Sequence, residues 1–110
     1  MQLQWHKNLT LERWQKFEKY KQILSIVVEF QRAESAAKRK NNNEVRLCYE
    51  RAYELLDLTI EDPRWKHNLK ELLRFREIFG ELYLKPNLEL NQKLYKILLA
   101  FNSKAYNLLI

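Results

Sequence analysis

The chain has 110 residues, 20 Lys and Arg against 14 Asp and Glu for a net charge of +6, and 46% hydrophobic residues. That length and apolar content suit one folded domain and exclude a disordered tail. One glycine and two prolines exclude the many tight turns of a β-sandwich or barrel, and a single cysteine excludes an intrachain disulfide and fits a reducing compartment. Residues 1–10 hold no apolar secretory core, and no apolar run nears the ~20 residues of a membrane span. The expectation is an all-α, cytoplasmic protein with no membrane segment.

The first helical pattern runs from about Thr10 to about Lys40, with Asn8 or Thr10 as cap and Glu12 in the first turn, where a carboxylate suits the positive helix end. It carries two adjacent apolar seams, Phe17, Tyr20, Leu24, Val27 and Ile23, Ile26, Phe30, Ala33, Ala37. One stripe of somewhat over ~100° serves a surface helix. A helix apolar on two sides is either the centre of a bundle or shared with a second subunit. The turn falls on Asn41-Asn42-Asn43, a residue type that tolerates left-handed backbone and also caps.

The second helix is predicted over about 44–60, with Val45, Cys48, Tyr49, Ala52, Leu56 and Thr59 inward and Glu50, Glu54, Asp57 and Glu61 forming an acidic stripe. Asp62-Pro63 marks the next start, since proline at a first helical position loses no hydrogen bond. The third helix is predicted over 63–84, its inner face Trp65, Leu69, Leu72, Phe75, Phe79 and Leu82. Pro86 ends it. The fourth runs over about 87–110 with a core stripe of Leu90, Leu94, Ile97, Leu98, Phe101, Ala105 and Leu108. Short connections favour antiparallel neighbours. The expected architecture is a single-domain, antiparallel up-down-up-down four-helix bundle with a long first helix.

Catalytic signatures are absent: one glycine allows no phosphate loop, and His6, His67 and Cys48 make no metal-binding cluster. Cys48 reads as a buried structural thiol. No cofactor and no small-molecule substrate is expected. The run His67-Asn68-Leu69-Lys70 resembles the phosphoaccepting motif of histidine phosphotransfer domains, which are four-helix bundles of similar size. The resemblance implies a relay through His67, but Glu71 and Leu72 stand where that family has glycine and a small residue. In size, charge and helix count the chain is also similar to small basic accessory proteins, such as those of retroelements and the bacteriocin immunity proteins.

Charge is uneven: residues 10–40 hold eight Lys/Arg against four Glu, whereas residues 43–62 hold two against six acids. Lys66, His67, Lys70 and Arg74 share one side of the third helix, and Lys38, Arg39 and Lys40 cluster at the end of the first. Basic side chains spaced along helices can follow phosphates or meet an acidic protein, so these seven are candidate nucleic-acid or anion contacts. Arg76 points inward and needs an acidic partner, a glutamate of the first or second helix. Trp5 is expected to fold over the end where the third helix begins. Ile23, Ile26 and Phe30 with Leu88, Tyr95, Leu99 and Tyr106 form second seams and are the candidate interface of a homo-oligomer. The sequence reading is therefore a non-enzymatic, basic helical interaction protein, with the phosphorelay module as its alternative.

Overall fold

The computed structural model of the chain describes residues 3–109. Those residues are all-α, with no strand among them. Six α-helices follow in order: α1 (Leu11–Gln15), α2 (Lys19–Lys38), α3 (Asn42–Glu61), then a 3-10 turn (Pro63–Asn68), α4 (Leu69–Leu84), α5 (Leu88–Ala100) and α6 (Ser103–Leu109). Helix α2 is the centre. It packs against α3, α5 and α6, while α4 packs against α3 and α5.

The expected long first helix is broken at Lys16-Phe17-Glu18. Thr10 does cap α1, accepting from Arg13 N–H at 3.2 Å. In an unbroken helix the Trp14 carbonyl would accept from the amide four residues on. Here it accepts from Phe17 N–H at 3.1 Å and from Gln22 Nε2 at 2.8 Å. The bend sinks the Trp14 ring into the core, where its indole N–H donates to Thr59 Oγ1 at 3.0 Å.

Helix α2 ends in a Schellman motif: Asn41 N–H donates to Ala36 C=O at 2.9 Å and Lys40 N–H to Ala37 C=O at 3.0 Å. The left-handed residue this motif requires is Lys40, with φ 59°, rather than an asparagine. Asn41 instead caps α3, accepting from Glu44 N–H at 3.2 Å. Asp62 caps the next segment as expected, accepting from Arg64 N–H at 3.0 Å, but the chain first makes a 3-10 turn and enters α4 only at Leu69.

The expected last helix is also two. Asn87 caps α5 through Leu90 N–H at 3.0 Å, and Asn102 stops it by capping α6 through Ala105 N–H at 3.0 Å. Asparagine mid-pattern offers the backbone this alternative. Ala105 stays buried, while Ile97 and Leu108, both expected in the core, are exposed. The expected end of this helix at residue 110 lies outside the described residues.

The two seams of α2 exchange roles. Ile23, Ile26, Phe30 and Ala33 are buried and form the main core with Val27. Phe17 is exposed, and Tyr20 and Leu24 are only half-buried. Phe30 sits at the centre, its ring 4.9 Å from Phe79, 5.8 Å from Tyr49 and 6.0 Å from Phe75. The predicted inner face of α3 is buried throughout, and that of α4 except for Leu69.

This placement corrects the expected subunit interface. Ile23, Ile26, Phe30 and Leu99 are all 0% exposed within one chain, because α5 and α6 cover the second side of α2. Tyr95 is half-buried, and only Leu88 and Tyr106 remain exposed. A second copy would have to use other surface.

Candidate functional site

The acidic stripe of α3 organises the N-terminal segment. One carboxylate, Glu54, accepts the backbone N–H groups of Gln4 at 2.8 Å, Trp5 at 2.9 Å and His6 at 3.0 Å, and His6 Nδ1 lies 2.8 Å from it. Burial alone would raise the Glu54 pKa; the Trp5 amide and the His6 ring and amide outweigh burial and hold it below the usual carboxylate range. The Trp5 indole N–H donates to Glu50 at 3.2 Å. Trp5 therefore lies along the middle of α3, not over the start of the third predicted helix. Glu50 also accepts from Tyr83 Oη at 2.9 Å. Much of the stripe is structural rather than solvent-facing.

Held this way, the N-terminal segment and α1 form one wall of an open groove of about 870 Å³, with α2 as the other wall and Leu55 also lining it. The groove continues into a smaller one of about 400 Å³ over Phe17, Leu24 and Val28. Phe17 is 42% exposed and Val28 37%, and both line the two joined openings. Lys7, Arg13 and Lys16 line it from the first wall, and Lys21 and Arg32 from α2. The one carboxylate of the lining is Glu29. It is buried and committed to Arg51 Nε at 3.1 Å and Arg32 at 3.2 Å.

A second groove, of about 470 Å³, separates α4 from α5. Phe75, Ile78, Leu94 and Ile97 line it, and Glu71 and Arg74 stand in the same lining with opposite charges. It has no net electrostatic preference.

The buried polar groups elsewhere are satisfied internally; no buried side-chain nitrogen or oxygen among the described residues lacks a partner. Gln22 is the main node. Its Nε2 donates to Asp62 Oδ2 at 3.0 Å and its Oε1 accepts from Trp65 Nε1 at 2.7 Å. Burial would raise the Asp62 pKa, but hydrogen bonds from Arg64 and Gln22 carry it down from 3.8 to about 2. Tyr49 Oη donates to Asn91 Oδ1 at 2.6 Å, and Asn91 Nδ2 to the Phe30 carbonyl at 3.1 Å. Cys48 is buried as read from the sequence. Burial pushes its thiol up to about 11, against the opposing effect of Arg51, so it is protonated and unreactive at neutral pH.

The seven candidate basic contacts are all exposed, but they do not form one face. Trp65 bonds to Gln22, in the first turn of α2, and Lys19 lies over the Trp65 ring at 4.3 Å. Lys66, His67, Lys70 and Arg74 follow from that end. Lys38, Arg39 and Lys40 close the other end of α2, roughly 27 Å away at 1.5 Å per residue. Lys38 pairs with Glu34 at 3.5 Å, and Arg39 donates to Ser35 Oγ at 2.9 Å. Of the seven, Arg74 lines the groove between α4 and α5. Arg76 pairs with Asp57 of α3 at 2.7 Å; the partner is an aspartate, and both side chains are nearly half exposed. His67 is exposed on the 3-10 turn, outside any α-helix.

Sequence reasoning missed Lys7, Arg13, Lys16, Lys21 and Arg32 as a group. The available signal was Lys16 and Lys21 interleaved with the Phe17–Leu24 seam. Among the described residues, no cluster of His, Cys, Asp and Glu could hold a metal ion, and no helix is long and apolar enough to cross a membrane. No family model matches the chain, and neither a curated protein nor a solved structure does.

Proposed function

We propose that the chain is a non-enzymatic helical interaction module of the cytoplasm. In this reading α2, α3, α4 and α5 close as an antiparallel up-down bundle, and the N-terminal segment adds a docking groove against α2. The observation that carries the proposal is the cation-lined apolar groove, in which Phe17 and Val28 stay 42% and 37% exposed although the chain has buried comparable residues elsewhere. Apolar surface grouped in this way marks contact sites.

A photo-cross-linking residue in place of Phe17, introduced in cells that make the protein, tests the reading. A protein adduct at position 17, and none from the exposed control position Glu77, is the expected result. Nucleic-acid adducts, or no adduct at position 17, would overturn it. The rival phosphorelay draws support from the exposure of His67. Against it, Glu71 stands four residues on, in the first turn of α4, where a carboxylate would oppose a phosphoryl group. Phosphate retained from a labelled phosphodonor by the wild type, and lost in His67→Ala, would replace the interaction reading by the relay.

A further inference from the structure

Resting on that reading, we infer that the partner segment seated in the groove between the N-terminal wall and α2 is an acidic amphipathic helix of another protein. Charge complementarity carries the inference. Five cations line the continuous groove, Lys7, Arg13, Lys16, Lys21 and Arg32, against the single carboxylate Glu29. Glu29 is itself neutralised by Arg51 and Arg32. Lys7, Lys16 and Lys21 form no ion pair among the described residues. They give the groove an unbalanced positive lining, which favours a ligand bearing carboxylates.

The lining between the cations is apolar, with Trp5, Trp14 and Phe17 as rings and Leu9, Leu24, Val28 and Leu55 as aliphatic side chains. Leu24 and Val28 lie one turn apart on α2, with Phe17 before them and Leu9 and Leu55 alongside. Such a lining accepts the i, i+4, i+7 stripe of a helix lying along α2. Nucleic-acid bases would instead use its two exposed rings, Trp5 and Phe17, and are the rival occupant that the test separates. On α2 itself the apolar lining is Leu24 and Val28, which offer no π-face and suit an aliphatic helix stripe. The α4–α5 groove makes no such selection, since Arg74 and Glu71 oppose each other there.

The test uses the full chain, isotopically labelled, and three probes. The first is a Leu/Ala/Glu peptide of about 18 residues, long enough to form helix in water. The second is the same peptide with Lys in place of Glu, and the third an oligothymidine of about 20 nucleotides. The acidic peptide should bind and move the amide signals of Phe17, Leu24 and Val28. The Lys peptide and the oligonucleotide should bind at least about tenfold more weakly. Lys16→Glu combined with Lys21→Glu alters exposed positions only, and should weaken the acidic peptide by about tenfold and flatten its salt dependence. Equal binding of both peptides, tighter binding of the oligonucleotide, or acidic-peptide binding that leaves those three amides unmoved would overturn the inference. A protein cross-link from position 17 together with any of these results would leave the interaction module standing and remove only the acidic helix.

Discussion

Helix α2 presents two apolar arcs that look alike in sequence and end in opposite environments. On one, Ile23, Ile26, Val27 and Phe30 are 0% exposed beneath α3, α5 and α6. On the other, Leu24 and Val28 face the groove with Phe17 beside them. With Gln22, Glu29, Ala33 and Ala36, which are buried too, the sealed arc covers roughly 180° of the helix at about 100° per residue, more than a single seam supplies. A helix of this size cannot bury its whole circumference in a chain of 110 residues, and the side left over is the side with the cations. Apolar content alone does not decide which arc is core. The number of helices that can reach each side does.

The largest effect separates two positions a fraction of a turn apart. Ile26→Glu places an unpaired charge in the sealed arc, a penalty of several kcal/mol against a total stability of about 5–15 kcal/mol, and should leave the chain largely unfolded. Val28→Glu on the open arc should change stability by less than about 0.5 kcal/mol. Urea denaturation followed by circular dichroism distinguishes them. Equal losses would mean that both arcs are core, and a folded, stable Ile26→Glu protein would mean that neither is.

The next effect lies where the arcs meet, at Glu29, 5% exposed. Arg51→Met should cost about 2–3 kcal/mol, because it removes one of the two cations on the buried Glu29 carboxylate and leaves it with Arg32 alone, an exposed side chain. Combining it with Glu29→Leu should restore most of that loss, since an apolar pair needs no desolvation. A double-mutant cycle from denaturation curves measures the coupling. Additive losses would show that Glu29 is hydrated from the groove and belongs to the open arc.

The third concerns the sealed end at Gln22. The Asp62 carboxylate is held at about 2, from 3.8, so the folded state binds its proton less readily than the unfolded chain. Its contribution, about 2 kcal/mol, is complete above the unfolded value and disappears as pH falls from about 4 through about 2. Asp62→Asn should flatten that limb of the stability-against-pH curve while keeping the cap. An unchanged acid limb would place Asp62 in contact with solvent.

The smallest effect probes the sealed side from α4. A Cβ at Gly80 would lie 3.5 Å from Tyr53 Oη, an ordinary contact. Gly80→Ala should therefore gain about 0.5–1 kcal/mol from helix propensity, seen as a higher denaturation midpoint. A loss would show that Tyr53, stacked on Phe79 with ring centroids 4.1 Å apart, has no room to yield.

The sequence by itself determined the all-α class and most of the local punctuation. Thr10, Asp62 and Asn87 cap where they stand, because a cap requires only its own side chain and an amide two or three residues on. The inner faces of α3 and α4 were legible for a similar reason, since each has one neighbour-rich side and a single period. The break at Phe101-Asn102 is local, since Asn102 caps α6 with its own side chain; tertiary structure decided the break at Lys16-Phe17-Glu18, where no proline or glycine announces a stop. That break is held by Trp14 reaching Thr59, 45 residues away. It also decided which seam of α2 became core and which became groove. Both seams satisfy helical periodicity equally well, and only the positions of α5, α6 and an N-terminal segment held by Glu54 tell them apart. Such long-range partners leave no period in the local sequence.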